Sequence, residues 1–285
     1  MMEIRTFTQQ DIPAALELCA QVNWNHVAAD WARCLALNPA ACLGGFEGGE
    51  LKATCTLTPF ETMGWVGTFL VDQSLRGKWY GKLIFEALLQ TARQQGITCL
   101  GLDSSDAGRP IYSKQGFQMT GQGIELWTGP AAGAGESPAD TRPLQHTDWE
   151  KLLALDHASV RLSRERQLRT LAGESGAAVR VIQADAKILA FGFSRPGRMT
   201  GTIGPVVAGD ASLAQRIIRA LLADRQRLDG ARSVGLAVPD QADFKAWLAE
   251  CGFQMRRRNI RMFHPAARDV LSGPAVFVTT GLGMG

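Results

Sequence analysis

Residues 72–82, DQSLRGKWYGK, gather glycine and positive charge just ahead of an amphipathic stretch. Arg76, Gly77, Lys78, Gly81 and Lys82 stand close together there. Glycine lets the backbone come near a ligand. The first turn of a helix offers unpaired N–H groups and a partial positive charge. With cationic side chains added, the place suits phosphate groups. The same composition also suits an ordinary basic turn on a solvated surface, and a short glycine motif does not separate the two.

The elements that must position this loop are legible on either side. WVGTFLV, at 65–71, has the apolar β-rich character of a strand. After the loop, Leu83, Ile84, Ala87, Leu88 and Ala92 recur at helical spacing and predict one buried face. CLGL at 99–102 predicts a second short strand, a short helix follows, and then GFQM at 116–119.

GFQM occurs again at 252–255, a shift of 252 − 116 = 136 residues. A repeated tetrapeptide arises by chance about once in a chain this long, so its surroundings decide its meaning. The same shift carries 65–71 onto GTIGPVV at 201–207, strand onto strand. Ala87-Leu88-Leu89 matches Ala220-Leu221-Leu222 at a shift of 133, and CLGL matches SVGL at 233–236. Order and spacing agree, so the chain is an internal duplication. Each copy predicts helices, a hairpin, then strand, helix, strand, helix, strand. The hairpins fall at 41–60, turning at Glu47-Gly48-Gly49-Glu50, and at about 178–194, turning near Ala184-Asp185-Ala186. GPAAGAGESPADTRP at 129–143 predicts a linker. The domains expected are 1–130 and 144–285, joined by 131–143.

A chain of 285 residues, 46% hydrophobic and 20% charged, supplies two globular cores. Its net charge of +3 is too small to argue for nucleic acid or an anionic membrane. MMEIRTFTQQD has no apolar signal core, and no stretch reaches the roughly 18 apolar residues of a membrane helix. Cys19, Cys34, Cys42, Cys55, Cys99 and Cys251 form no CxxC pair, which predicts small core residues rather than disulfides or a metal site. A cytoplasmic protein is expected, as monomer or homodimer.

The order of strand, RGKWYG loop, helix, strand and IYSKQGF resembles the GCN5-related N-acetyltransferases (GNAT). Arg76-Gly77-Lys78-Trp79-Tyr80-Gly81 matches their acetyl-CoA loop, and Ile111-Tyr112-Ser113-Lys114-Gln115-Gly116-Phe117 their later tyrosine motif. NWNHVAADW, the hairpin and LDSSDAGRPIY are similar to a bacterial subgroup with two such domains in tandem. The resemblance implies an α/β fold (α+β in some schemes) of two tandem domains, each a mixed, mostly antiparallel twisted sheet flanked by helices. It implies acetyl-CoA as co-substrate and an amine as acceptor, with direct attack in a ternary complex and no metal. One departure stands out. The family's first loop glycine is Trp79, which is strained if that position needs positive φ, and which either stacks over the cofactor or partly blocks it.

Carried over residue by residue, the resemblance assigns the pyrophosphate to the loop from Arg76 to Lys82, including Tyr80. It assigns thioester polarisation to backbone N–H groups near Leu70 and Val71. Tyr112 falls at the general-acid position, Ser105 where the family often has Asn, and Lys114 within the tyrosine motif. Asp103 and Glu61 are the candidate bases. Trp24, Asn25, His26 and Trp31 lie where the acceptor wall is usually built. In the second copy Asp210 replaces the Arg-Gly-Lys chemistry and Leu248 stands at the tyrosine position, since 248 − 112 = 136. That copy is expected to be degenerate and to support or complete the first. The run at 275–278 is expected to pack against or complete the first domain, whose sheet looks short of strand after Phe117. Arg256-Arg257-Arg258 is expected on a solvated edge. A non-catalytic acyl-CoA or small-ligand sensor is the competing function.

Overall fold

The computed structural model describes residues 2–131, 137–265, 270–271 and 273–285. The first copy runs β1 (Glu3–Thr6), α1 (Ile12–Gln21), α2 (Ala28–Leu37), β2 (Cys42–Glu47), β3 (Glu50–Phe60), β4 (Met63–Val71), α3 (Tyr80–Gln94), β5 (Cys99–Ser104), α4 (Arg109–Lys114) and β6 (Gln118–Pro130). The second runs β7 (Thr141–Pro143), α5 (Trp149–Val160), α6 (Glu165–Ala172), β8 (Ala178–Ala184), β9 (Lys187–Arg195), β10 (Gly201–Ala208), α7 (Ala211–Asp229), β11 (Ser233–Pro239), α8 (Ala242–Glu250), β12 (Gln254–His264) and β13 (Val276–Val278). Both expected hairpins form, and Gly48 and Gly49 supply positive φ at the first turn. The linker is shorter than its composition suggests: Gly129 and Pro130 end β6, Thr141–Pro143 pairs with β8, and 132–136 lie outside the described residues.

All the described strands join one mixed sheet, ordered β1-β2-β3-β4-β5-β12-β6-β11-β10-β9-β8-β7, with β13 on β10. The centre of that order is an exchange. β12, from the second copy, pairs with β5 of the first, and β6, from the first copy, pairs with β11 of the second. The two exchanged strands also pair with each other. Each carries side chains into the other copy's core: Met262 packs with Leu100, Leu102 and Phe117, while Trp127 packs beside Leu236 and Phe253. Separate cores would need one interface between them; here the sheet's hydrogen bonds run through it.

Three expectations change. β6 is 13 residues long, so the first copy is not short of strand. Arg256, Arg257 and Arg258 lie on β12 in the middle of the sheet rather than on an edge, because that strand is the exchanged one. The strand at 276–278 pairs with β10 inside its own copy. It packs against the first copy without completing its sheet: Val276 shares a buried cluster with Phe60, Met63 and Trp65, and beyond it the indole of Trp65 donates to the Leu282 carbonyl at 3.0 Å. GFQM proves to be one structural device used twice. Gly116 and Gly252 take φ of +85° and +81° at the ends of α4 and α8, and Phe117 and Phe253 are each buried at 3% exposure.

Five of the cysteines are buried and Cys251 is partly so. Among the described residues no helix is long and apolar enough to cross a membrane.

Candidate active site

β4 and β5 pair in parallel only from Met63 to Trp65, then diverge into a wedge. On β4 two residues, Thr68 and Phe69, oppose the single Cys55 of β3, since Thr56 pairs with Gly67 and Thr54 with Leu70. Thr68 sits at φ +42°, a backbone cost that its neighbours must sustain. They do so with hydrogen bonds: Thr68 Oγ1 to Thr56 Oγ1 and Thr54 Oγ1 to the Thr68 carbonyl, both 2.7 Å. The bulge turns Leu70 and Val71 along the wedge. Leu70 packs toward α1 and α2, Phe69 and Val71 toward α3, so the wedge has two distinct faces.

The basic loop lies at the wide end, on the α3 face. Arg76 Nε donates to the Val71 carbonyl at 3.2 Å, which ties the loop to β4. Gly77 has φ +77° and Trp79 φ +70°, both left-handed, and α3 starts at Tyr80. The N–H groups of Tyr80, Gly81 and Lys82 are the first of that helix and have no intrahelical acceptor. A β-carbon on Gly81 would meet Phe69 at 3.3 Å, so a small residue is needed there. Tyr80 is anchored to Glu47 by a 2.6 Å hydrogen bond. Lys78 is exposed, and Trp79 is 73% exposed with Lys82 Nζ 5.3 Å from its ring. These groups fit a pyrophosphate: a nest of free N–H groups ringed by Arg76, Lys78 and Lys82.

Tyr112 closes the same face. Its ring is caged by Phe69, Phe85 and Phe117 at 5.4–6.0 Å between centroids. Burial, with Cys55 adding to it, raises its pKa far above that of a free phenol, so it stays a proton donor. Ser105 Oγ accepts from the Gly108 N–H at 3.3 Å, shaping the loop before α4. Lys114 is exposed at the end of α4.

The candidate bases are placed elsewhere. Asp103 faces Arg261 of β12, with Oδ1 3.0 Å from Nε and Oδ2 3.1 Å from Nη2, both side chains at 0% exposure. Burial pushes its carboxyl up against the pull of Arg261. A carboxylate so enclosed is a tie between the copies, not a free base. Glu61 lies at the β3–β4 turn, seven residues from the bulge and therefore roughly 20 Å along the strand. It borders a different crevice, with Leu37, Phe60 and Arg166.

The α1–α2 face carries the expected acceptor wall, with changes. Asn25 is a clasp: its Oδ1 accepts from Met199 and Thr200 N–H and its Nδ2 donates to the Thr200 carbonyl at 2.8 Å. Trp31 is core, stacked on Phe7 at 5.0 Å. Trp24 stacks on His26 at 5.2 Å. Burial lowers the His26 pKa; Asp30 opposes this, and Arg33, Arg195 and Arg257 reinforce it. His26 is therefore a neutral imidazole at neutral pH. Arg33 donates to both Asp30 and Glu174, and Arg195 Nε lies 3.8 Å from Asp30. Arg195 and Arg257 come from the second copy. Sequence reasoning missed both, since nothing local ties them to a site more than 160 residues away in sequence.

The second copy has the same bulge, Gly204 and Pro205 against Phe193, but its wedge is filled. β13 pairs with Val206 and Val207, the residues 136 positions after Leu70 and Val71, and Thr279 N–H donates to the Ala237 carbonyl of β11 at 2.8 Å. Asp210 caps α7 by accepting from Leu213 N–H at 2.9 Å, placing a carboxylate where the first copy leaves its N–H groups open. Leu248 replaces the tyrosine as a fully buried core residue.

Two family models match the chain: an acetyltransferase (GNAT) family over residues 8–117 and an acetyltransferase (GNAT) domain over 152–270. The chain thus belongs to the GCN5-related N-acetyltransferases, with two such domains in tandem. It is 21% identical over 236 residues to YitH of Bacillus subtilis (strain 168), an uncharacterized N-acetyltransferase, covering 79% of each chain. In fold it is similar to a putative acetyltransferase from Pyrococcus horikoshii, with a TM-score of 0.81 at 19% identity, covering 100% of this chain and 96% of the other. It is similar also to a tandem GNAT protein from the clavulanic acid biosynthesis pathway, with a TM-score of 0.65 at 15% identity, covering 94% and 100%.

Proposed function

We propose that the chain is an N-acetyltransferase with one working site, in the first copy, and that the second copy is a support for it. The observation that carries this reading is the contrast between two equivalent wedges. In one, β4 and β5 part after Trp65 with no strand described between them, beside the unpaired N–H groups that begin α3; the other is filled by β13 and capped by Asp210. Acetyl-CoA supplies an activated acetyl thioester. The N–H groups of Tyr80, Gly81 and Lys82, with the side chains of Arg76, Lys78 and Lys82, would hold its pyrophosphate, while Ser105 and Lys114 border the path of its arm. Of the two expected backbone donors, Leu70 is turned toward β3 by the register, and the Val71 N–H would polarise the acetyl carbonyl, a fixed dipole that needs no reorganisation during reaction. Tyr112, held protonated by burial, donates a hydrogen bond to the departing sulfur. The amine approaches from the other face, past Trp24 and His26, and attacks directly.

Calorimetry with acetyl-CoA is expected to give one site per chain, and thiol release to accompany incubation with a panel of amines. Tyr112→Phe is expected to keep the binding and lose roughly 100-fold in kcat. Two bound equivalents, or unchanged turnover in Tyr112→Phe, would refute the assignment. Binding without turnover on a broad panel would favour a sensor.

A further inference from the structure

Along β12, residues Arg257, Asn259 and Arg261 alternate onto the face that carries Trp65, α1 and α2. They form a graded row. Arg261, nearest the closed end of the wedge, is fully satisfied by Asp103, the Leu271 carbonyl and the Trp65 ring. Asn259, 4% exposed, donates from Nδ2 to the Asp103 carbonyl at 3.1 Å, but its buried Oδ1 accepts nothing. Arg257, next along, has no described hydrogen bond or ion pair. The residue is exposed, and the protein against its stem lowers its pKa by partial desolvation, with no carboxylate opposing the shift. Its two neighbours differ: Arg258 is held by Asp240 and Glu125, and Arg256 sits in the register shift of the strand.

The charges on this face leave Arg257 over. Asp30 and Glu174 are offset by Arg33 and Arg195, and His26 is neutral. Two guanidinium groups on this wall have no described carboxylate: Arg198, whose Nε is engaged by the Trp24 carbonyl, and Arg257, which has an unused buried acceptor two residues away. The donor loop and Tyr112 occupy the opposite face, which leaves this one for the acceptor, bordered at Gly67 and Thr68 by Gly283 of the C-terminal tail.

We infer that the acceptor is a carboxylate-bearing amine, whose carboxylate is taken by Arg257 and one of whose N–H groups is received by Asn259 Oδ1. A guanidinium fork matches a carboxylate with two parallel hydrogen bonds. The inference rests on the acetyltransferase reading above and names the substrate class of that site. It also gives the second copy a specific role, since through the exchanged strand that copy supplies the residue that selects the acceptor.

The test uses the full chain saturated with CoA. Calorimetry measures binding of L-amino acids, short ω-amino acids and glycine-terminated dipeptides, each against its own C-terminal amide. Thiol release from acetyl-CoA is followed on the same pairs. Acids are expected to bind and react better than their amides by roughly 10- to 100-fold. Arg257→Gln should erase that difference through KM, with CoA affinity unchanged; Arg257→Lys should keep part of it, and Arg256→Gln all of it. If CoA binds but amides match acids, or no acid binds, or Arg257→Gln retains the preference, the inference is overturned while the acetyltransferase reading stands. If CoA does not bind, both fall.

Discussion

Replacing Arg261 by Met tests whether the exchanged strand is what joins the two copies. Arg261 is 0% exposed and holds Asp103 through two charge-assisted hydrogen bonds, the Leu271 carbonyl through a third, and the Trp65 ring at 4.7 Å. Methionine fills much of the volume but leaves the Asp103 carboxylate buried without its partner. Breaking a buried pair in this way costs about 3–5 kcal/mol. Unfolding entropy near 2.1 cal/mol/K per residue gives about 0.6 kcal/mol/K for this chain, so a loss of 4 kcal/mol lowers Tm by about 7 °C. The double variant Arg261→Met with Asp103→Leu removes both charges and should recover most of the loss, within about 1 kcal/mol of the parent or above it. Urea unfolding followed by tryptophan fluorescence, with scanning calorimetry, measures both. Acetyl transfer by the double variant should persist, because Asp103 is a structural tie. A single variant within about 1 kcal/mol of the parent would refute the energetic argument. A well-folded double variant without acetyl transfer would refute the structural role and return Asp103 to the chemistry.

Trp79→Gly should change stability by less than about 1 kcal/mol, because relief of the left-handed strain is offset by the greater unfolded-state freedom of glycine. The same change should weaken acetyl-CoA binding roughly tenfold by removing an exposed stacking ring beside the phosphate nest; tighter binding in a titration would show that the ring obstructs instead. His26 is held neutral in the folded chain, with its pKa below the unfolded value near 6.5. Below that pH the unfolded chain takes up the proton first, so stability should fall as pH drops, with a limiting slope of about 1.4 kcal/mol per pH unit. Urea midpoints from pH 7.5 to 5 should show this slope, and His26→Gln should flatten it by that amount.

The duplication was legible because it is written as periodicity. A 136-residue register aligned the wedge strands, and both hairpins turned where glycine or Ala-Asp-Ala allowed. The basic turn from Arg76 to Lys82 that leads into α3 was legible because its signals are local. Glu61 misled because a carboxylate next to a strand in sequence can lie at its far end in space. Asp103 misled because its partner stands 158 residues away. Arg256 to Arg258 looked like an edge, since alternation shows which side chains share a face but not which strands lie beside them.

The sequence alone determined which elements form, their order, and that one copy kept the glycines, cations and tyrosine while the other has Asp210 and Leu248. Those features follow from local propensity and side-chain type. The tertiary structure decided where β6 and β12 go. Both follow the same GFQM turn, and local pattern does not specify which sheet either joins; only packing of Met262 and Trp127 into the opposite cores, with the Asp103–Arg261 pair, makes the exchange. It also decided that β13 fills the second wedge and that Arg257, with no described ion pair, lies on the face that carries Trp65. Both depend on contacts between residues distant in the chain, which no local pattern encodes.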